Sequence, residues 1–255
     1  MNFLNFFLLL CLISTTLCVP IIELPEESVD NSIDDDVQLL RWCSGWRVAG
    51  EANNLSPWNK IPENCVDYVQ DYMLSRSYEI DLDIVCDEAM EFAKSVVVRD
   101  DGLDVWVFDV DETLLSNLPY YGQHGYGSEL FDNIQFDKWV LEGVAQAVKP
   151  SLKLYKEVQQ LGFKIFLLTG RTENKREITI NNLIMAGFEN WDRLILRGEE
   201  DHGKTAVAFK SEKRKAIMDE GFRIIGNSGD QWSDLIGSHV SMRSFKLSNP
   251  MYFIS

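Results

Sequence analysis

Val107-Phe108-Asp109-Val110-Asp111-Glu112-Thr113 is an apolar strand that empties into two aspartates two residues apart. The apolar run begins at Val105-Trp106. If the strand continues past Phe108, Asp109 and Asp111 fall on the same side, because successive side chains alternate faces. Both carboxylates then address one pocket. An ionised carboxylate can serve as nucleophile and metal ligand, and a second, protonated one can give its proton to a leaving oxygen. Taken alone, the D-x-D-x-T spacing is equally an acidic turn on the surface, so the flanking segments decide between the two.

Downstream, Asp137–Val148 and Ser151–Leu161 are predicted helices, the second capped by Gly162. Phe163–Leu168 reads as a strand, Thr172–Ala186 as a helix closed by Gly187, and Leu194–Leu196 as a third strand. Ser211–Glu220 is a helix closed by Gly221, Phe222–Ile225 a fourth strand, and Arg243–Leu247 a candidate fifth. Strands alternating with helices imply crossover connections and a mostly parallel sheet. The fold class is therefore α/β: a Rossmann-like, mostly parallel sheet flanked by helices over residues 104–255. In such sheets ligands bind beyond the carboxyl ends of the strands. Residues 37–103 differ, since Val66, Val69, Tyr72 and Met73, then Ile84, Val85, Ala89, Phe92, Ala93 and Val96, recur at helical spacing. They form an N-terminal helical region. The stretch from Asp111 to Pro150 leaves room for only a small cap, in which Tyr120, Tyr121, His124 and Tyr126 are expected to line an open entrance.

Other strand ends add chemistry to the two aspartates. Leu168-Thr169-Gly170-Arg171 brings a hydroxyl and backbone N–H groups to a strand end ahead of a helix, a cradle for phosphate oxygens. Arg171 either clamps phosphate or pairs with one of the many surface acids. In Phe209-Lys210-Ser211-Glu212-Lys213-Arg214-Lys215 cations open a predicted helix, against the sense of its dipole. One lysine of that run, turned into the pocket, would offset carboxylate and phosphate charge, and the others form a solvated face. Ile225-Gly226-Asn227-Ser228-Gly229-Asp230-Gln231-Trp232-Ser233-Asp234 is a further strand running into a Gly-rich acidic loop. Asp230 can complete an oxygen-rich Mg²⁺ site with Asp109, and Asp234 either binds the ion or orients its ligands.

The bulk properties set limits on partners. With 24 Lys and Arg against 40 Asp and Glu, the net charge is −16, which argues against nucleic acid. Phe6 to Ile13 is an apolar run too short to span a bilayer and suits the core of a signal peptide, residues 1–18. No later stretch is apolar enough for a membrane span. Residues 19–36, with Glu23, Glu26, Glu27, Asp30, Asp34, Asp35 and Asp36, read as an acidic leader. The mature chain then keeps Cys43, Cys65 and Cys86, enough for one disulfide and one leftover thiol. Asn54-Leu55-Ser56 is a glycosylation sequon. A secreted or vacuolar location follows, and a homodimer is compatible with these features.

The four strand-end segments together resemble the haloacid dehalogenase superfamily of aspartyl phosphotransferases. Within it the chain is similar to plant vegetative storage proteins and class B-like acid phosphatases. L-S-N-L-P-Y-Y-G (115–122), K-S-E-K-R (210–214), G-N-S-G-D-Q-W-S-D (226–234) and S-F-K-L-S-N-P-M-Y (244–252) carry that narrower likeness. The resemblance implies an acid phosphatase acting on small phosphate monoesters, with Mg²⁺. It implies Asp109 as nucleophile and metal ligand, and Asp111 as general acid/base that also lends the metal its carbonyl. Thr169 and Gly170 bind phosphate with Arg171, Asp230 is a third metal ligand, and Asp234 supports the metal. The family's lysine falls on Lys213, with Lys210 as the fallback. The rival implied by the same likeness is a nitrogen-storage protein, some of whose kind lack the nucleophilic aspartate. Proton donation by Asp111 makes activity peak below neutrality, as a neighbouring carboxylate and burial raise its pKa and a metal lowers it.

Overall fold

The computed structural model describes residues 35–254. The signal-like segment 1–18 and the leader through residue 34 lie outside the described residues. Asp35 and Asp36, assigned to the leader from sequence, instead open helix α1 (Asp35–Glu51), where acidic side chains suit the positive end of the helix dipole. Helices α2 (Val66–Leu74) and α3 (Arg76–Ser95) follow. A disulfide joins Cys43 on α1 to Cys65, just ahead of α2, while Cys86 on α3 is a buried free thiol. This matches the one bridge and one leftover thiol expected from three cysteines. Burial pushes the Cys86 thiol up to about 12, so it behaves as an unreactive core group.

The sheet is built from β1 (Asp104–Phe108), β4 (Lys164–Thr172), β5 (Arg193–Arg197), β6 (Arg223–Gly229) and β7 (Arg243–Lys246). Their order is β5-β4-β1-β6-β7, and every neighbouring pair is parallel. β1 lies at the centre with all its residues buried. Its alternating side chains enter two cores. Trp106 and Phe108 meet α3 and helix α6 (Lys149–Gln160) through Ala89, Ala93, Tyr155 and Val158. Val105 and Val107 meet helix α8 (Ala206–Asp219) through Phe209 and Ile217. Helices thus cover both faces, which is why β1 reads as an apolar run without polar alternation. Trp106 is the hub: its ring stacks on Phe245 at 5.5 Å and meets the edge of Phe163 at 5.8 Å, and its indole N–H donates to Ser228 Oγ at 3.1 Å.

Several boundaries differ from the sequence reading. Helix α5 (Asn133–Glu142) starts early because the Asp132 carboxylate accepts the N–H groups of Ile134 and Gln135, at 2.8 and 3.2 Å. It stops at Gly143, whose φ of 65° is the left-handed geometry that ends helices. Gln146–Ala147 is then not helix but strand β3, paired antiparallel with β2 (Leu115–Ser116). β4 runs on through Thr172, so helix α7 (Arg176–Met185) begins later than expected. α8 begins five residues before Ser211, because the Thr205 hydroxyl accepts the Ala208 N–H at 3.2 Å and caps it. Helix α4 (Leu118–Gln123) and α5 make up the small cap region between β1 and α6, and α9 (Trp232–Leu235) follows β6. Among the described residues no helix is long and apolar enough to cross a membrane.

Phe245→Ala should cost about 3–5 kcal/mol in urea unfolding, the usual range for emptying a buried aromatic site. A loss under about 1 kcal/mol, far below that range, would show that the Trp106–Phe245 stack does not anchor the sheet.

Candidate active site

The loop after β1 is closed by its own backbone. The Val110 carbonyl accepts the N–H groups of Leu114 and Leu115 at 2.9 and 2.8 Å, and the Asp109 N–H donates to Ser228 O at 3.0 Å. Glu112 sits at φ 55°, a region few non-glycine residues occupy. Its buried carboxylate accepts the Asn117 N–H at 2.8 and 3.0 Å and the Ser116 hydroxyl at 3.1 Å, which fixes the turn. Thr113 ties this loop to the one after β6: its hydroxyl donates to Asp230 Oδ1 at 3.1 Å and accepts the Asp230 N–H at 3.0 Å. The threonine of D-x-D-x-T therefore sets the distance between two acidic loops.

Asp109, Asp230 and Asp234 are all buried, and each brings a carboxylate oxygen within 4.8 Å of the others. Lys210 Nζ donates to Asp109 Oδ1 at 2.5 Å and also to Asp234 Oδ1. One ammonium does not balance three carboxylates. Burial pushes the Asp109 carboxyl well up, and Asp234, Asp230 and Asp111 add to it against the pull of Lys210. Burial and Asp234 push Asp230 to about 6, although Asn249 and Gln231 donate to its Oδ2 at 2.8 and 2.7 Å. Lys210 stays protonated: burial opposes its charge, but Asp109 and Asp234 outweigh that. A buried all-oxygen set with excess negative charge fits a hard divalent cation. Gly229 makes room for this packing, since a Cβ there would stand 2.4 Å from Asp234 Oδ2.

Asp111 is held apart from that cluster. Its carboxylate takes Arg171 in a side-on fork, Nε to Oδ2 at 3.0 Å and Nη2 to Oδ1 at 2.8 Å, and Asn117 Nδ2 at 2.9 Å. Burial would raise Asp111, but the Arg171 charge and these hydrogen bonds win and hold it below the usual carboxylate range. The raising expected from burial and a carboxylate neighbour, opposed by a metal, is thereby corrected, because an arginine is the nearer neighbour. Arg171 is itself buried, with Nη1 donating to Thr179 Oγ1 at 3.2 Å, and so meets an acid of the pocket and not of the surface. Thr169 is fully buried and accepts the Arg171 N–H at 3.1 Å. Gly170 lines the cavity, with nothing within 4 Å of where a Cβ would stand.

The lysine in the site is Lys210, not Lys213. Because α8 starts at Ala206, Lys210 and Arg214 are four apart on its buried face, and Lys213 lies on the flank. Lys213 Nζ pairs with Asp201 at 2.8 Å and Glu200 at 3.4 Å. Arg214, fully buried, donates to the backbone carbonyls of Asp234 and Ile236, both at 2.5 Å, and thereby braces the loop carrying Asp234. Sequence reasoning passed over Arg214, Thr113, Gln231 and Asn249, though the K-S-E-K-R and S-N-P-M-Y phrases contain two of them.

These side chains open on a cavity of about 560 Å³, lined by Asp109, Asp111, Gly170, Arg171, Lys210 and Asp230 on the sheet side. Tyr121, Phe131, Phe136 and Tyr252 form an aromatic wall. Of the four residues expected at the entrance only Tyr121 lines it. Tyr120 packs on His124 at 4.3 Å instead, and Tyr126 lies over Gly122.

The family model described as HAD superfamily, subfamily IIIB (acid phosphatase), matches residues 32–255. The chain belongs to this family. It is 59% identical over 234 residues to acid phosphatase 1 of Solanum lycopersicum, covering 92% of this chain and 89% of that one. It is 42% identical over 214 residues to the stem 28 kDa glycoprotein of Glycine max, covering 83% and 84%. It is 37% identical over 214 residues to vegetative storage protein 2 of Arabidopsis thaliana, covering 83% and 80%. Among solved structures, the class C acid phosphatase from Bacillus anthracis superposes with a TM-score of 0.62 at 19% identity, over 74% of this chain and 84% of that one. That likeness confirms the α/β fold with its mostly parallel sheet.

For the acid cluster of this family member, binding of a divalent ion to the folded state alone must stabilise it, by about 2.7 kcal/mol at a hundredfold excess over Kd. Thermal melts with Mg²⁺, Mn²⁺ or Ca²⁺ should rise by several degrees, and Asp230→Asn should remove most of the rise. An equal rise in both proteins would place the ion elsewhere.

Proposed function

We propose that the chain is an acid phosphatase that hydrolyses small phosphate monoesters with Mg²⁺ and an aspartyl-phosphate intermediate on Asp109. The observation that carries this reading is the buried Asp109 carboxylate. It stands at the end of the central strand, paired with Lys210 and grouped with Asp230 and Asp234, and it faces the cavity. In this reading an Asp109 oxygen attacks phosphorus, and the bond from phosphorus to the ester oxygen breaks. Asp111, two residues on, gives that oxygen its proton, then takes one from the water that cleaves the aspartyl-phosphate. Lys210 favours the ionised form of Asp109 and offers charge to the phosphoryl oxygens, while Thr169 and the Gly170 backbone cradle them. Asp109, Asp230 and the Asp111 carbonyl would hold the Mg²⁺, with Asp234 in support. Bound there, the ion supplies positive charge to the phosphoryl group.

Arg171 favours the ionised form of Asp111, so the protonated fraction grows as pH falls, in keeping with an acid optimum. The chemistry of the mature chain suits a secreted or vacuolar protein, since a Cys43–Cys65 bridge belongs to an oxidising compartment and Asn54 is exposed for glycosylation. The storage alternative rests on the names of relatives, whereas here every position that the chemistry requires is filled.

Steady-state kinetics on p-nitrophenyl phosphate test this. Asp109→Asn should lose at least about three orders of magnitude in kcat and Lys210→Met about two, as expected for a nucleophile and its charge partner. Lys213→Met should stay within about threefold of wild type, because Lys213 does not line the cavity and Lys204 still pairs with Asp201. A larger loss for Lys213→Met than for Lys210→Met, or more than about a tenth of wild-type kcat in Asp109→Asn, contradicts the assignment.

A further inference from the structure

Four cations line the cavity over Asp109: Arg171, Lys175, Arg197 and Lys210. Three are held by carboxylates. Lys210 pairs with Asp109 and Asp234, Arg171 with Asp111 at 2.8 Å, and Lys175 with Asp137 at 2.5 Å. Arg197 is different. Its Nη1 donates to the backbone carbonyls of Asp201 and Lys204, at 3.3 and 3.0 Å, and its guanidinium lies 4.4 Å from the centre of the Phe209 ring. Among the described residues no carboxylate pairs with it, and its Nε and Nη2 meet no acceptor. That is an unusual position for a cation in a chain of net charge −16.

The mount of Arg197 is rigid. The fully buried Asp201 carboxylate accepts the Gly198 N–H at 3.1 Å, Lys204 Nζ at 3.0 Å and Lys213 Nζ at 2.8 Å. This fixes the turn whose carbonyls hold Nη1, and it gives Lys213 a structural task. The free edge of the guanidinium, Nε and Nη2, is the same fork that Arg171 closes on Asp111. Such a fork matches the two oxygens of a carboxylate or phosphate.

Position then decides what the fork can reach. Arg197 pairs with Thr172 in the β4–β5 ladder, so it lies two strands from β1 on the side away from β6 and Asp230. Two strand spacings are roughly 10 Å. Asp109, Gly170 and Arg197 line one cavity, so a leaving group that crosses it from a phosphoryl group at Asp109 meets Arg197. An arginine side chain and a short leaving group together span that gap.

We propose that Arg197 is a specificity residue that selects phosphate monoesters whose leaving group carries a second anionic group, a phosphate or a carboxylate. The proposal rests on the phosphatase reading above.

A matched set of esters tests it: butyl phosphate, 4-phosphooxybutanoate and butane-1,4-diyl bisphosphate, with p-nitrophenyl phosphate as a separate report of the phosphatase reaction. The wild-type protein, assayed with Mg²⁺, should prefer the acidic esters by about tenfold in kcat/KM, the worth of one charge-assisted contact. The preference should lie in KM and shrink as salt is added. Arg197→Gln should bring the ratio near one, and Arg197→Lys, which keeps the charge and loses the fork, should retain part of it. Preference for both acidic esters or for one alone supports the proposal and identifies the anion taken. Equal kcat/KM across the three esters in wild type overturns it. An unchanged ratio in Arg197→Gln does the same, as does an equal loss on butyl phosphate, which would place Arg197 on the transferred phosphoryl group. Should Arg197→Gln not fold, an undiminished ratio in Arg197→Lys is the overturning result. If wild type fails to hydrolyse p-nitrophenyl phosphate, the phosphatase reading fails and this proposal falls with it.

Discussion

Lys210 holds an ammonium between Asp109 and Asp234 where little water reaches. Burying an ion costs several kcal/mol even after relaxation, and the cost is offset only when partners and hydrogen bonds are well placed. Here each charge answers another, yet the count leaves the carboxylates in excess. The pocket is therefore primed for further positive charge and hostile to a bare anion. Much of the surrounding structure serves this arrangement. Thr113 fixes Asp230 to the first loop, Asn249 and Gln231 hold its other oxygen, and Arg214 braces the turn that carries Asp234.

The parallel sheet makes the juxtaposition achievable from residues far apart in sequence. β1 delivers Asp109, and its neighbour β6 delivers Asp230 at the same carboxyl edge. β4, on the other side, delivers Thr169, Gly170 and Arg171. Helix α8 crosses back beneath that edge and presents Lys210 from its buried face. Two rigid cores, one on each side of β1, hold these strand ends in register. A site assembled from strand termini in this way depends on the packing of Trp106 and Phe245 as much as on its own polar contacts.

What could be read beforehand divides along physical lines. Strand-end acids were legible because an apolar run that stops at Asp109, and another that stops near Asp230, leaves the carboxylates nowhere to go but the sheet edge. The helix phase was not legible. Lys213 follows from its distance to the last motif, and that distance does not report which face of α8 meets the pocket; the buried face carries Lys210 and Arg214. The partner of Arg171 was likewise hidden, because a fork on Asp111 requires loops from β1 and β4 to meet, and spacing along one chain does not report that. The short ladder of β2 and β3 was missed for the same reason, as two-residue strands carry no period to detect.

The covalent step on Asp109 is the centre of this description, and chemical trapping reads it directly. Protein mixed with p-nitrophenyl phosphate and Mg²⁺, quenched rapidly and treated with hydroxylamine, is digested and mapped by mass spectrometry. Hydroxylamine converts an acyl phosphate into a hydroxamate at the residue that carried the phosphoryl group. The modification should fall on Asp109 and be absent from Asp109→Asn. Steady turnover with the hydroxamate on any other side chain, or with none at Asp109 under conditions that trap a known acyl phosphate, would contradict it.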